Sequence, residues 1–152
     1  MRFRIKSGWF SPALVVEADG VSTSIECERD GLAQRERHYF TWTDGHIWAL
    51  TSRYGSIPYT ITRDKIVIAE GSLRDGSVVE WSLYNGAPSA TVWFESTWSR
   101  LKRMDRAYGS RGNVIMEARY SWCLIDVAVS DAWCDLVPIF ALFCISSAPM
   151  PG

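Results

Sequence analysis

The chain has 152 residues with 16 basic and 17 acidic side chains, so its net charge of -1 favours neither nucleic acid nor a membrane surface as a whole. This length suits one domain whose core is large enough to need no disulfide framework, metal or other cofactor. Aromatic residues make up 13% of the chain and include eight Trp, a composition typical of half-buried β-strands. Composition therefore predicts one mainly β domain.

The N-terminus carries basic residues but lacks the uninterrupted apolar stretch of a signal peptide. The longest apolar run is about ten residues, well short of the roughly 20 that cross a bilayer as a helix. The cysteines form no Cys-X-X-Cys pair and lie among apolar or aromatic neighbours. They are Cys27, Cys123, Cys134 and Cys144. We therefore expect no transmembrane segment, and reduced cysteines in a cytoplasmic protein.

Turn-forming dipeptides recur at short intervals and separate segments of strand-like composition. Asp-Gly and Asn-Gly accept the positive φ angles of tight hairpin turns. The dipeptides are Asp19-Gly20, Asp30-Gly31, Asp44-Gly45, Asp75-Gly76 and Asn85-Gly86. The predicted strands are Leu14–Ala18, Val21–Cys27, His38–Thr43, His46–Thr51, Tyr59–Thr62, Ile66–Glu70, Val78–Tyr84, Thr91–Glu95, Val114–Tyr120 and Trp122–Val129. Their spacing predicts an antiparallel meander.

The clearest predicted hairpin surrounds Asp44-Gly45. A two-residue turn at this dipeptide would pair Thr43 with His46. One face of the hairpin would then be apolar and core-like, formed by His38, Phe40, Trp42, Ile47 and Ala49.

This hairpin would also place the only two histidines, His38 and His46, on opposite faces, so a metal site built on both is not expected. A Cys–His dyad would need Cys27 or Cys123 to reach a histidine, and neither has local sequence support. Motifs for nucleotide binding, zinc proteases and serine hydrolases are absent from the sequence. We therefore predict no catalytic residues and no metal.

Between Thr97 and Tyr108 the strand pattern gives way to a helical one. Apolar residues recur at offsets of three, three and four, and Gly109 is placed to end a helix. These apolar residues are Trp98, Leu101, Met104 and Tyr108. We predict one amphipathic helix on the outside of the domain.

The same segment carries the one concentrated charge of the chain. Its basic residues are Arg100, Lys102, Arg103, Arg106 and Arg111, opposed only by Asp105, which gives a local charge of +4. Arginine forks match phosphate oxygens, and a basic amphipathic helix can lie on an anionic membrane. These five are the candidate anionic-ligand-binding residues. Alternatively, they are the solvated face of a helix that docks through Leu101 and Met104.

The segment Leu136–Ile145 is apolar on every side. Asp135 is placed to cap a helix there, with Pro138 as the third helical residue, where proline is tolerated. A helix of this length that is apolar all round must be enclosed by protein. A central strand is the alternative. The single domain then spans 1–147, and residues 148–152 form a frayed tail.

The C-terminal segment begins at Cys123 and continues as LIDVAVSDAW to Cys134 and Asp135, which are followed by LVPIFALFCI. This segment resembles the closing segment of the tubby C-terminal-like superfamily. The resemblance is to its LURP-one-related and phospholipid-scramblase-like branches, where a strand leads through a polar turn and an Asp into an apolar helix. It covers the C-terminal third of the chain, and the rest only as a strand pattern. It implies a closed antiparallel β-barrel of about ten to twelve strands around a C-terminal hydrophobic helix.

The resemblance also implies a non-enzymatic binding domain, because animal tubby proteins bind phosphoinositide headgroups through basic surface residues. No stretch of this chain aligns with those residues, so none is carried over. The expected partner is an anionic phospholipid or membrane surface, bound peripherally. The alternatives are a protein-interaction or structural module and a lipocalin-like carrier of a small apolar ligand. We expect neither nucleic acid nor a cofactor.

Overall fold

The computed structural model describes residues 1–7, 14–53, 56–74, 78–84, 90–100 and 102–147. Within these ranges the chain forms twelve strands and a C-terminal helix, α1 (Val137–Ser147). The strands are β1 (Arg2–Ser7), β2 (Leu14–Ala18), β3 (Val21–Asp30), β4 (Arg35–Thr41), β5 (Ile47–Arg53), β6 (Ser56–Arg63), β7 (Ile66–Arg74), β8 (Val78–Leu83), β9 (Ala90–Ser99), β10 (Lys102–Tyr108), β11 (Val114–Ser121) and β12 (Leu124–Val129).

Each strand pairs antiparallel with the next, and β1 pairs with β12 to close the sheet into a barrel. The closing register sets Arg2 opposite Ala128 and Lys6 opposite Leu124. The Met1 carbonyl also accepts a hydrogen bond from the Val129 N–H at 2.8 Å. Closure pairs every strand on both sides, so the sheet has no free edge. The predicted closed barrel of ten to twelve strands is confirmed.

In such a meander, successive turns alternate between the two ends of the barrel. We call the end that holds turns 31–34, Arg100 and Trp122–Cys123 the distal end. The other, proximal end holds Asp19–Gly20, Asp64–Lys65 and the exit of β12 at Ser130. A 3-10 helix, Asp131–Leu136, leads from that exit into α1.

Helix α1 fills the barrel. Every side chain from Ile139 to Cys144 has 0% exposure, as expected for a helix that is apolar all round. The predicted central hydrophobic helix is confirmed, and the alternative of a central strand is wrong. The predicted cap is not observed, because Asp135 lies inside the 3-10 helix and Pro138 becomes the second residue of α1.

Phe143 of α1 lies at the centre of the aromatic core. Its ring centroid is 4.6 Å from that of Trp81 and 5.4 Å from that of Phe94. Trp81 stacks on Tyr59 on its other side, at 5.8 Å. Gly71 lies opposite Trp81 in the sheet, and a Cβ at this position would meet the indole ring at 3.1 Å. A glycine at this position therefore makes room for the indole that packs on the helix.

The predicted outer amphipathic helix between Thr97 and Tyr108 is wrong. The chain reverses direction between Ser99 and Lys102, which pair across a tight hairpin. Arg100 adopts a positive φ of 49° in this turn, which no continuing α-helix allows. The apolar spacing that fits a helix is divided in the structure between two antiparallel strands, β9 and β10.

The hairpin between β4 and β5 forms one residue out of the predicted register. The loop has three residues, because the Trp42 N–H donates to the His46 carbonyl at 3.1 Å and Thr41 pairs with Ile47. A one-residue slip moves each side chain of one strand, here β5, to the other face of the sheet. The inward residues of the hairpin are therefore His38, Phe40, Trp48 and Leu50.

Two predicted turns, Asp75-Gly76 and Asn85-Gly86, and the predicted tail 148–152 lie outside the described residues. In the part of the chain that is described, no helix is long and apolar enough to cross a membrane.

Replacing Phe143 with Ala should lower the free energy of unfolding by about 3–5 kcal/mol, because it opens a cavity between the helix and Trp81. Phe143→Leu, which keeps most of the volume, should cost less than about 1.5 kcal/mol. Urea unfolding of the two variants and the parent measures both values. Equal stability of the Ala variant and the parent would contradict the central packing of α1.

Candidate ligand-binding site at the distal end

The buried polar residues lie in the middle and distal parts of the barrel interior. Among the described residues they are Glu36, His38, Ser52 and Asp105. The proximal part, where α1 enters, is lined by apolar side chains such as Val16, Val129 and Val137. The barrel thus changes from an apolar to a polar interior towards its distal end.

One polar group of the interior is an ion pair on β10. Arg103 and Asp105 both point inward, and the guanidinium donates to the carboxylate at 2.9 and 2.7 Å. Asp105 is 1% and the Arg103 side chain 11% exposed. The guanidinium also lies 4.4 Å from the ring centroid of Tyr120. Arg103, one of the five predicted anion-binding residues, is therefore a neutralised part of the interior.

Arg106 points outward from the same strand. Its Nε donates to Glu117 Oε1 of β11 at 3.0 Å, and this bond raises the pKa of the guanidinium further above its ordinary value. A second predicted residue is thus paired with a carboxylate on the barrel wall.

The other three predicted residues are exposed but do not converge. Arg100 and Lys102 flank the distal turn between β9 and β10, whereas Arg111 lies in the proximal turn between β10 and β11. Within the described part of the chain, none of these three side chains forms an ion pair or a side-chain hydrogen bond. The fold therefore separates the five predicted residues instead of gathering them.

The distal end also presents the most exposed large apolar side chains of the described residues. Leu32 is 100%, Trp122 79% and Trp98 65% exposed. The Asp30 carboxylate holds the loop of Leu32 in place, because its Oδ1 accepts the N–H groups of Leu32 and Ala33 at 3.1 and 3.2 Å. The loop thus presents the leucine at its tip.

Basic side chains outnumber acidic ones at this end. Among the described side chains within four residues of the distal strand ends and in the distal turns, the basic residues are Arg4, Lys6, Arg29, Arg35, Arg37, Arg53, Arg100, Lys102, Arg103 and Arg119, and the acidic residues are Glu17, Glu28, Asp30, Glu36, Glu80, Asp105 and Asp126. Arg29, Arg35 and Arg37 line one groove beside the β3–β4 turn together with Glu28 and Asp30. Sequence reasoning missed this grouping because its basic members come from six separate strands and one turn.

A second polar group joins β3 to β4. Cys27 lies directly opposite His38, and Glu36 precedes His38 by two residues on the same face. Arg29 Nε donates to Glu36 Oε2 at 3.0 Å. Strand register thus brings Cys27 and His38 together, although the local sequence gives no indication of this pair.

The surroundings of this pair do not activate the thiol. Cys27 is exposed, but partial desolvation of its thiol, followed by the Glu36 charge, raises the pKa of Cys27 above its ordinary value. Burial lowers the pKa of His38. Both shifts favour the neutral forms at neutral pH, whereas a nucleophilic cysteine requires a thiolate stabilised by a nearby positive charge. The geometry therefore does not favour cysteine catalysis.

Replacing Asp105 with Ala should destabilise the protein by about 3–5 kcal/mol, because the Arg103 guanidinium stays in the interior without this carboxylate. The double change Arg103→Met and Asp105→Leu should be close to neutral, since it removes both charges together. Urea unfolding compares the variants, with Arg106→Met at the partly exposed pair as a control that should cost at most about 1 kcal/mol. Equal losses in the single and double variants would contradict a coupled buried pair.

Comparison of the chain with models of known protein families, with curated proteins and with solved structures gives no match.

Proposed function

We propose that this protein is a non-enzymatic barrel whose distal end binds anionic phospholipid headgroups at a membrane surface. The observation that carries the proposal is the position of Leu32, Trp98 and Trp122, which project from the end where basic residues are in excess. Exposed apolar side chains of this size among cations are typical of surfaces that dock on a membrane or another apolar partner.

The rim of a closed barrel suits a flat partner. The described distal turns all lie at one end of the barrel, so they can face one partner together. Tryptophan rings favour the interface between lipid headgroups and acyl chains. Lys and Arg near an anionic leaflet each contribute roughly 1 kcal/mol of attraction. The distal end supplies both kinds of side chain.

Within the predicted set, Arg100 and Lys102 remain candidates for headgroup contact. Arg103 and Arg106 already have carboxylate partners, and Arg111 is at the proximal end. Arg35 adds a cation on the opposite side of the rim, in a groove whose other two arginines are paired with Glu36 and Glu28. The proposed surface is therefore a ring of separate turns in place of one basic helix.

The tubby-like resemblance stays a prediction and agrees with this proposal, as does a reduced, cytoplasmic location facing the anionic inner leaflet. A lipocalin-like carrier is disfavoured, because α1 occupies the volume that an apolar ligand would need. A protein-interaction module would use the same exposed side chains without a requirement for anionic lipid. The two interpretations differ in their dependence on lipid charge.

Sedimentation with phosphatidylcholine vesicles, with and without phosphatidylserine, tests the proposal. The protein should bind only the anionic vesicles, and salt should weaken this binding. Arg100→Glu with Lys102→Glu should weaken it by at least roughly 30-fold, because two attractive charges are lost and two repulsive charges are added. The matched control is Lys65→Glu with Arg111→Glu, which makes the same change in charge at exposed proximal turns.

The control variant should bind as the parent does. Negligible binding of the parent to both kinds of vesicle would refute the proposal. Equal losses in the two double variants would show that net charge, and not the distal end, determines attachment.

The exposed rings have a separate test in the same assay. Trp122→Ala should weaken binding to anionic vesicles even at a salt concentration that screens the charges, since the lost contribution is apolar. Ile66→Ala, at an exposed apolar position of the proximal end, is the control and should have no effect. Identical binding by the Trp122 variant and the parent would exclude insertion of this turn.

A further inference from the structure

Three side chains at the β3–β4 junction can each offer one metal ligand. The thiol of Cys27, a carboxylate oxygen of Glu36 and a ring nitrogen of His38 all lie within 4.8 Å of one another. Strand pairing places Cys27 opposite His38, and the two-residue repeat of β4 turns Glu36 to the same side. The three groups therefore belong to rigid elements, and none lies in a loop.

An independent feature of His38 points to a missing partner. Its side chain is only 6% exposed, and the buried Nε2 has no hydrogen-bond partner within the described chain. The nearest carboxylate oxygen, Oε1 of Glu36, is 3.5 Å away, too far for a good hydrogen bond. A buried polar atom left in this state destabilises the folded protein. Such an atom calls for an explanation, and an absent ion is one of the recognised explanations.

We propose that Cys27, Glu36 and His38 bind a zinc ion through Sγ, one carboxylate oxygen and Nε2. Thiolate, imidazole and carboxylate are the donors that zinc takes in proteins, at roughly 2.3, 2.0 and 2.1 Å. With those bond lengths, the ligand atoms around a tetrahedral zinc lie roughly 3.3–3.8 Å from one another. Shifts of about 1 Å in the three donor atoms are therefore enough to bring them into coordination. Because Cys27 is exposed, water can complete the tetrahedron at the fourth position.

Arg29 is the competitor for this site. Its guanidinium contacts Glu36 at 3.0 Å, and the Arg29 side chain is 64% exposed, so it can move into solvent. On zinc binding, the Glu36–Arg29 pair breaks, the thiol proton leaves to solvent and three bonds to zinc form. The dipositive ion replaces one guanidinium and one proton, so the local charge does not change. No oxidation or reduction is involved.

The choice of zinc over harder cations follows from the donor set. Calcium and magnesium take oxygen ligands, whereas this site offers sulfur and nitrogen beside one oxygen. Soft and borderline donors favour zinc among the common divalent ions. Cobalt(II) can replace zinc at such sites as a spectroscopic probe, because a cobalt–thiolate bond absorbs in the near ultraviolet.

The test is a titration of the reduced, metal-free, full-length protein with Co²⁺, followed by displacement with Zn²⁺. We expect one Co²⁺ per chain with a thiolate charge-transfer band that Zn²⁺ abolishes. Cys27→Ser should remove the band, and His38→Ala should weaken binding by more than the roughly 10- to 100-fold effect of an outer-shell partner. Cys123→Ser, at a free cysteine outside the cluster, is the matched control and should keep both.

Arg29→Gln should change the metal affinity in the direction opposite to that of the Cys27 and His38 variants. Removing the competing guanidinium should tighten Zn²⁺ binding severalfold, a result that a merely unfolded variant cannot give. The proposal is overturned if the parent shows no saturable Co²⁺ band, if Cys27→Ser and Cys123→Ser lose it equally, or if Arg29→Gln binds more weakly. These variants differ from those of the vesicle assay, so the zinc site and membrane binding can fail independently.

Discussion

Enclosure of an apolar segment is the constraint on which the rest of this structure depends. Helix α1 has no polar face, so it must be surrounded by protein on all sides. A helix satisfies its own backbone hydrogen bonds, whereas a strand inside a ring of twelve mutually paired strands would leave its N–H and C=O groups without partners. The closed barrel and the central helix therefore require each other.

Because α1 fills the barrel, the residues that can bind a ligand lie towards the ends of the barrel. The helix enters at the proximal end and packs against apolar side chains there. Beyond the apolar part of the helix, the interior admits the Arg103–Asp105 pair and the group around His38. Both proposed sites lie on this side, one on the rim and one just inside the wall. They share Arg29, whose guanidinium belongs to the rim and contacts the carboxylate of Glu36.

The misread segment from Thr97 to Tyr108 shows how two periodicities can be confused. On β10 the charged residues Arg103 and Asp105 face inward. The inward and outward positions of this strand therefore do not alternate between apolar and polar residues. The pair compensates its own charges, and a pattern search for apolar residues does not detect it. The register of the β4–β5 hairpin was missed for a related reason. One extra loop residue, decided by hydrogen bonds of Trp42, exchanges the faces of the strand.

The β-meander and the buried C-terminal helix could both be predicted from the sequence, because turn dipeptides and an all-apolar segment are local signals. The positions of side chains around the barrel could not. Cys27 meets His38 only through strand register, and Arg111 is separated from Arg100 by the length of β10. Such distances depend on which strands pair and on where each turn falls. Local sequence does not encode these relations, so only the folded barrel decides which charges and ligands lie together.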